Sequence, residues 1–348
     1  MTQLQTSFEE IQHYYGEVLR HSADLKTSAC CTGEAPAPHI ARALANVPEE
    51  IKDRFYGCGS PIPPLLTGAH VLDLGCGSGR DCYVLSELVG PAGHVIGVDM
   101  TQAQLEIARR HLDGHARRSG LGNLEFHMGY IENLAELGIA DDSIDLVVSN
   151  CVLNLSPDKG RVFAEIFRVL KPGGELYFSD VFADRRLPQD VARDTVLRGE
   201  CLGGALYWED FRRLMAEAGC ADVRMCDARP LQINNPELLP RLGLARFSAR
   251  TIRAFKLVLE DRCEDYGQAA RYNGTIDLQP HGFDLDDHHH FATGKLVPVC
   301  GNTADMLSQS RYAPHFEVIG TKKIHYGSFD CGPSLLAPAQ NRATAPCC

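Results

Sequence analysis

The sequence predicts an α/β fold in which a mostly parallel sheet is covered by helices on both faces, and three observations carry that expectation. From Leu72 onward, short apolar runs alternate regularly with helical stretches, the pattern of strand–helix–strand units. The run Val71-Leu72-Asp73-Leu74 passes directly into the glycine turn Gly75-Cys76-Gly77-Ser78-Gly79 and a helix start at Arg80-Asp81. About 20 residues further on, a second short strand from His94 to Val98 ends in Asp99-Met100, the spacing at which nucleotide-binding sheets place an acid.

The elements follow in order. Residues 8–21 carry Phe8, Ile11, Tyr15, Val18 and Leu19 near helical spacing, which predicts an amphipathic helix. Residues 22–38 have the small-residue and proline composition of a loop and carry Cys30-Cys31, and 39–54 read as a second helix. Tyr56-Gly57-Cys58-Gly59-Ser60-Pro61 reads as a turn whose thiol, set between two glycines, is expected to be accessible. Strands are expected at 72–74, 95–98, 124–128, 144–148 and 175–179. The fourth is almost wholly apolar and is therefore expected at the centre of the sheet.

Helices are expected at 81–89, at 101–118 and at 158–170. The second opens on Thr101-Gln102-Ala103-Gln104, which resembles a capping box. The third is stopped by Lys171-Pro172-Gly173-Gly174. Residues 197–208 place Cys201 beside paired glycines, as a lid or pocket segment before a helix at 209–218. Beyond 231, a helix-like stretch at 236–242 and strand-like stretches at 249–258 and 316–319 read as a smaller α+β region, and 338–348 as a disordered small-residue tail ending in Cys347-Cys348. The expected division is 1–64 for N-terminal helices and a cysteine loop, 65–182 for the cofactor-binding sheet, 183–230 for a central region, 231–330 for the C-terminal region and 331–348 for the tail.

Composition narrows the function. A formal charge of −11 argues against a nucleic-acid partner, whose affinity rests on clustered Lys and Arg. No run approaches the roughly 18 apolar residues of a membrane span, and the first ten residues lack a basic-then-apolar leader, so a soluble cytoplasmic protein is expected. The 14 cysteines are irregularly scattered, unlike a secreted disulfide framework, and in a reducing compartment they suggest metal, metalloid or redox chemistry. Buried inert cysteine is the alternative for each of them.

The glycine turn has the form G-x-G-x-G, with Arg80 where a dinucleotide fingerprint needs its third glycine. Asp73 at its rim suits a cationic amino-acid group better than phosphates, and S-adenosylmethionine is such a ligand. Asp99 is the acid expected to take ribose hydroxyls, with Met100 beside it. Gly75, Asp99, Gly129 and Asn150 all follow strands and are expected along one edge with the turn glycines Gly77 and Gly79, where Tyr130 and Ile131 sandwich an adenine. Cys151 follows the fourth strand immediately, which puts its sulfur on the same rim. An ordinary strand–turn–helix is the competing reading, and it leaves Asp99 as a coincidence.

Five stretches resemble the signatures of a known family, the arsenite S-adenosylmethionine methyltransferases of microbes and animals. They are Asp24-Leu25-Lys26-Thr27-Ser28-Ala29-Cys30, Tyr56-Gly57-Cys58-Gly59, Ser78-Gly79-Arg80-Asp81-Cys82-Tyr83-Val84-Leu85-Ser86, Ser149-Asn150-Cys151-Val152-Leu153-Asn154-Leu155 and Gly199-Glu200-Cys201-Leu202-Gly203-Gly204-Ala205-Leu206-Tyr207-Trp208. The resemblance covers most of the chain and thins beyond residue 260. It implies a Rossmann-like class I methyltransferase sheet, a central arsenic-binding region and a C-terminal domain, and methylation of arsenite and methylarsenite. It further implies that Cys151 and Cys201 bind trivalent arsenic directly, that Cys58 is a third thiol, and that Cys30 is its partner in a disulfide formed during turnover and reset by thioredoxin or glutathione. Cys31, next to Cys30, leaves open which of the two takes that role.

The chemistry is coherent, since soft trivalent arsenic prefers thiolate sulfur to imidazole or carboxylate. A methyltransferase of a small organic or lipid substrate would share the cofactor residues without needing Cys151 and Cys201, and a non-catalytic metalloid-binding protein would not need the cofactor residues. Cys76, Cys82, Cys220, Cys226, Cys263, Cys300 and Cys331 read as packing residues, Trp208 as a packing anchor, and Asp286-Asp287-His288-His289-His290 as a solvated loop rather than a metal site.

Overall fold

The computed structural model describes residues 3–19, 24–27 and 36–332. Cys30, Cys31, Cys347 and Cys348 lie outside the described residues. The main sheet has eight strands: β1 (His70–Leu74), β2 (His94–Asp99), β3 (Leu124–Met128), β4 (Ile144–Asn150), β5 (Leu170–Ala183), β6 (Leu206–Tyr207), β7 (Val223–Leu231) and β8 (Phe247–Phe255). Their order is β3-β2-β1-β4-β5-β8-β7, with β6 pairing β5. β1 to β5 run parallel, and β8 is antiparallel to both β5 and β7. Val71, Leu72 and Leu74 of β1 and Leu146 and Val147 of β4 are fully buried, as apolar strands covered on both faces must be. β1 lies between β2 and β4, so the chain leaves it in opposite directions. That reversal opens a crevice at the carboxyl ends of these strands.

Several elements differ from expectation. The first helix begins earlier, at Gln3–His13, and continues as a π-helical turn at Tyr14–Val18. The 39–54 stretch divides into Pro38–Ala45 and Glu49–Lys52, because Pro48 supplies no N–H to continue a helix. The 101–118 stretch divides into Gln102–Arg110 and Leu112–Ser119. Thr101 makes no side-chain cap; instead Asp99 Oδ1 accepts from the Thr101 N–H at 2.7 Å. Only Leu239–Leu242 of 236–242 is α-helical.

The strand expected in the smaller C-terminal region joins the main sheet as β8. What remains there is a three-stranded antiparallel sheet of Leu296–Val299, Gln268–Tyr272 and Phe316–Ile319, two two-stranded antiparallel pairs, and the helix Gly301–Gln309, around buried Phe283, Phe291 and Tyr312. Glu175 of β5 ties this region to the sheet. Its carboxylate meets Arg253 Nε at 2.6 Å and Arg311 Nη2 at 2.6 Å. Burial opposes its ionised form, and the two guanidiniums outweigh that and hold it below the usual carboxylate value.

The stretch Asp286 to His290 is not a solvated loop. Asp286, Asp287 and His289 are buried, which their charges tolerate because Asp286 accepts from Arg224 at 3.0 Å and faces His289 Nδ1 at 2.7 Å. Trp208 packs on Phe211 and Phe182, as a packing anchor should. Among the described residues no helix is long and apolar enough to cross a membrane.

Candidate functional site

The glycine turn after β1 is shaped by its backbone. Gly77 has φ +53°, a left-handed conformation that an L side chain rarely adopts. There its N–H donates to Asp99 Oδ2 at 2.8 Å, so β1 and β2 are stitched together at their carboxyl ends. Asp99 uses one oxygen for Gly77 and the other for Thr101. Each oxygen keeps a lone pair for a hydroxyl. Burial raises the Asp99 carboxyl above its usual value while these N–H donors oppose the shift.

Asp73 stands at the end of β1, 4% exposed. Burial first, then neighbouring Asp81, pushes its carboxyl up to about 8, and the Cys82 thiol donates to it at 3.1 Å. Asp73, Asp81, Asp99 and Glu132 share one cavity with Arg54 and Arg80. Arg80 is already engaged, paired with Asp81 at 2.9 Å and lying over the Phe55 ring at 3.7 Å. The wall therefore has an excess of acidic groups over basic ones, and a cationic ligand would favour the ionised form of those that burial keeps protonated.

The cavity is lined by Gly75, Met100, Gly129, Ile131, Asn150 and Cys151 among others, a mixed apolar and acidic wall suited to a nucleoside-bearing ligand. Two polar atoms on its wall, the Tyr56 hydroxyl and Gln104 Oε1, are buried without a hydrogen-bond partner. Such orphans are rare unless a ligand or water completes them. Burial pushes the Tyr56 hydroxyl up to about 12, so it stays a donor. These features fit S-adenosylmethionine.

Three expectations are corrected here. Tyr130 is 42% exposed and packs on Phe8, with ring centroids 4.8 Å apart, and it is Met100 that lines the cavity with Ile131. Gly79 caps the helix Arg80–Val89, and a Cβ there would stand 2.7 Å from Phe126, so it serves packing rather than the cavity wall. Cys76, expected to be packing, lines the cavity.

The three expected thiols converge. Cys58 and Cys151 are joined as a disulfide with Cα atoms 5.9 Å apart, so Cys58 is paired here with Cys151, while Cys30 lies outside the described residues. The Cys201 thiol donates to the main-chain oxygen of Cys151 at 3.2 Å and lies 3.8 Å from the Tyr15 hydroxyl. Cys151 and Cys201 both adopt left-handed backbone, φ +59° and +60°, a conformation that costs a non-glycine residue roughly 1–2 kcal/mol. Cys58 is not accessible, being 1% exposed. Its flanking glycines serve close approach instead, since a Cβ on Gly57 would meet the Asn150 amide and one on Gly59 would meet Ser179. Asn150 grips this turn from both sides, accepting from the Gly59 N–H at 3.2 Å and donating to its carbonyl at 2.9 Å.

Sequence reasoning missed Asp180. Its carboxylate comes within 4.8 Å of the Cys58 and Cys151 sulfurs; burial pushes it up to about 6 against hydrogen bonds from Val181 and Asn154. Because Cys151 also lines the cofactor cavity, the thiol cluster and that cavity are contiguous.

Comparison with known proteins accords with this arrangement. The chain is 54% identical to an arsenite methyltransferase of Aquipseudomonas alcaligenes over 98% of this chain and 99% of that one. The chain belongs to the arsenite methyltransferase family. The human arsenite methyltransferase is 47% identical, across 90% of this chain and 84% of its own. The crystal structure of an arsenic(III) S-adenosylmethionine methyltransferase from Chlamydomonas reinhardtii superposes with a TM-score of 0.82 at 54% identity, covering 85% of this chain and all of that one. Residues 65–219 match the family described as a methyltransferase domain, and 267–334 the arsenite methyltransferase C-terminal domain.

A second missed residue of this family member is Glu200, next to Cys201 and fully buried. Its carboxylate accepts from the Tyr14 hydroxyl at 2.7 Å and, at 2.8 Å each, from the Lys26 N–H and from the N–H and hydroxyl of Thr27. It thus fastens the Asp24–Thr27 segment beside the thiol cluster. A carboxylate in the run Gly199-Glu200-Cys201-Leu202, otherwise built of small and apolar residues, is the signal that marks it.

Proposed function

We infer that this chain transfers methyl groups from S-adenosylmethionine to trivalent arsenic held by thiolates, converting arsenite and methylarsenite to more methylated arsenicals. The observation that carries the reading is the convergence of Cys58, Cys151 and Cys201 at the edge of a cavity that Cys151 itself lines. Acidic Asp73 and Asp99 are proposed to hold the ammonium and ribose of the donor, with Gly75 and Gly77 admitting it to the main chain. Gly129, Ile131, Met100 and Asn150 would form the rest of the wall.

S-adenosylmethionine supplies an electrophilic sulfonium methyl when bound. The chain's own contribution is alignment. Once thioredoxin or glutathione has reduced the Cys58–Cys151 disulfide to two thiols, Cys58, Cys151 and Cys201 replace the hydroxyls of arsenite, each As–S bond releasing water. The arsenic lone pair is left directed at the methyl group. Tyr15 and the buried walls around Cys201 keep water out. Each transfer formally oxidises arsenic from the trivalent to the pentavalent state, and two thiols closing a disulfide return the two electrons. We assign that pair to Cys58 and Cys30, with thioredoxin or glutathione reopening the bond. A reducing cytoplasm suits this cycle.

The test is chromatographic separation of arsenic species after incubating the purified chain with S-adenosylmethionine, arsenite and thioredoxin or glutathione. Methylated arsenic supports the reading. Donor binding without any methylated arsenic would move a small organic or lipid substrate to first place.

A further inference from the structure

A second cavity, whose wall includes Asn154, Ser156, Lys159, Arg186, Arg193 and Arg198, shares Ser156 with the cofactor cavity. Its acids are Glu10 and Asp210. Asp210 is already engaged, since Arg186 grips both of its oxygens, at 2.6 and 2.7 Å, and Arg213 adds a contact at 2.8 Å. The Glu10 carboxylate stands 4.0 Å from Arg198 Nη1 and its side chain is 41% exposed. The Lys159 ammonium donates to the Ser156 main-chain oxygen at 2.9 Å, and among the described residues neither Lys159 nor Arg193 has an ion-pair partner. Burial pushes the Lys159 ammonium down to about 8 against the pull of Asp180, and it lowers the Arg198 guanidinium as well. Three cations thus line one cavity with a single distant acid to balance them. The wall is also two residues from the thiols. Asn154 gives its N–H and its side-chain amide to Asp180, at 3.0 and 2.7 Å, and the Asp180 carboxylate lies within 4.8 Å of the Cys58 and Cys151 sulfurs. The Arg198 carbonyl accepts from the Cys201 N–H at 2.9 Å.

Neither uncharged arsenite nor a cationic methyl donor calls for a basic wall. The thiol reductant does, where it carries carboxylates. We propose that this cavity holds a small peptide thiol by its carboxylates, so that the reductant is bound beside the disulfide it reopens instead of meeting it by collision. The inference rests on the cycle under Proposed function and names where its reductant binds. Carboxylates of such a peptide meet Lys159, Arg193 and Arg198 in charge-assisted hydrogen bonds, and its amino group suits Glu10. The exchange balances with two peptide molecules. The thiolate of the first attacks one sulfur of the Cys58–Cys151 disulfide, giving a mixed disulfide and one protein thiolate. The thiolate of the second attacks the peptide sulfur of that mixed disulfide, releasing peptide disulfide and the other protein thiolate. Two electrons pass from the peptides to the protein, and the two peptide thiol protons end on the cysteines.

The test is calorimetry on the full chain with S-methylglutathione, a thioether that keeps both carboxylates and cannot act as a reductant. Saturable binding is expected, weakened about tenfold when both carboxylates are esterified and about tenfold in the double variant Lys159→Gln with Arg198→Gln. Absence of binding, or equal affinity for the diester or in the double variant, overturns the proposal. Citrate binding as tightly as the thioether overturns the assignment to a peptide thiol. Donor binding on the same preparations shows that the variant is folded. Should it not fold, Arg193→Gln, at an exposed position, takes its place with about threefold weakening expected, and unchanged affinity there overturns the site. In methylation assays the variant should need about tenfold more glutathione for half its maximal rate and should keep its rate with thioredoxin; equal losses with both reductants overturn the role. Because the thioether transfers no electrons, its binding is read whether or not arsenic is methylated, which separates failure of this inference from failure of the proposed function.

Discussion

The thiol of Cys201 donates to the main-chain oxygen of Cys151 at 3.2 Å, and both residues are held in left-handed backbone. Two strained cysteines in mutual contact point to a site in which geometry outweighs local stability. Replacing Cys201 removes the sulfur whichever residue follows, so the strain can be read by comparing two variants. Cys201→Gly is expected to unfold at higher urea than Cys201→Ala, by about 1 kcal/mol. In an ordinary buried loop Ala would equal or exceed Gly.

Asp73 gives a pH dependence with a defined sign. Its folded value near 8 lies above its ordinary value of 3.8, so the unliganded folded protein holds a proton there that the unfolded chain releases. Stability from this group is complete below the ordinary value and is lost as pH rises through about 8. Thermal melts of Asp73→Asn should therefore show a shallower fall between about pH 5 and about pH 9 than the native chain. A cationic ligand favours the carboxylate, so donor binding by the native chain should tighten from about pH 6 to about pH 9, as calorimetry would report.

Glu200 fastens Lys26 and Thr27 through four hydrogen bonds that include Tyr14. Glu200→Ala leaves buried donors without an acceptor and should cost roughly 3 kcal/mol. Hydrogen exchange should accelerate at the Lys26 and Thr27 amides more than in β4, which separates local release from global loosening.

The unpartnered Tyr56 hydroxyl carries opposite expectations for the free and the loaded protein. Tyr56→Phe removes a buried orphan and should raise the stability of the unliganded chain by about 1 kcal/mol. If the donor completes that hydroxyl, the same change weakens its binding roughly tenfold. Unchanged affinity would show that the hydroxyl faces another partner.

The sheet was legible because β1, β2 and β4 carry continuous apolar runs that end in Gly75, Asp99 and Asn150, and strand ends of such sheets share one edge. The antiparallel addition of β8 beside β5 was not, since local alternation around Phe247–Phe255 says nothing about which strand it pairs with. The burial of Cys58 was misjudged: glycines on either side of a thiol look like mobility, whereas here they admit Asn150 and Ser179. Asp180 and Glu200 escaped notice because an acid is expected at the surface until its hydrogen-bond partners are known, and those come from distant Asn154, Lys26 and Thr27. The pairing of Cys58 with Cys151, 93 residues apart, likewise depends on two loops meeting in space.

The central claim is that one arsenic atom is held by Cys151 and Cys201 in reach of the donor's methyl group. The most direct measurement compares the native chain with Cys151→Ser and Cys201→Ser, following methylated arsenic by chromatography while donor binding is measured on the same preparations. The account predicts donor binding in all three proteins and methylated arsenic from the native chain alone. Sustained methylation of arsenite by either variant would contradict it.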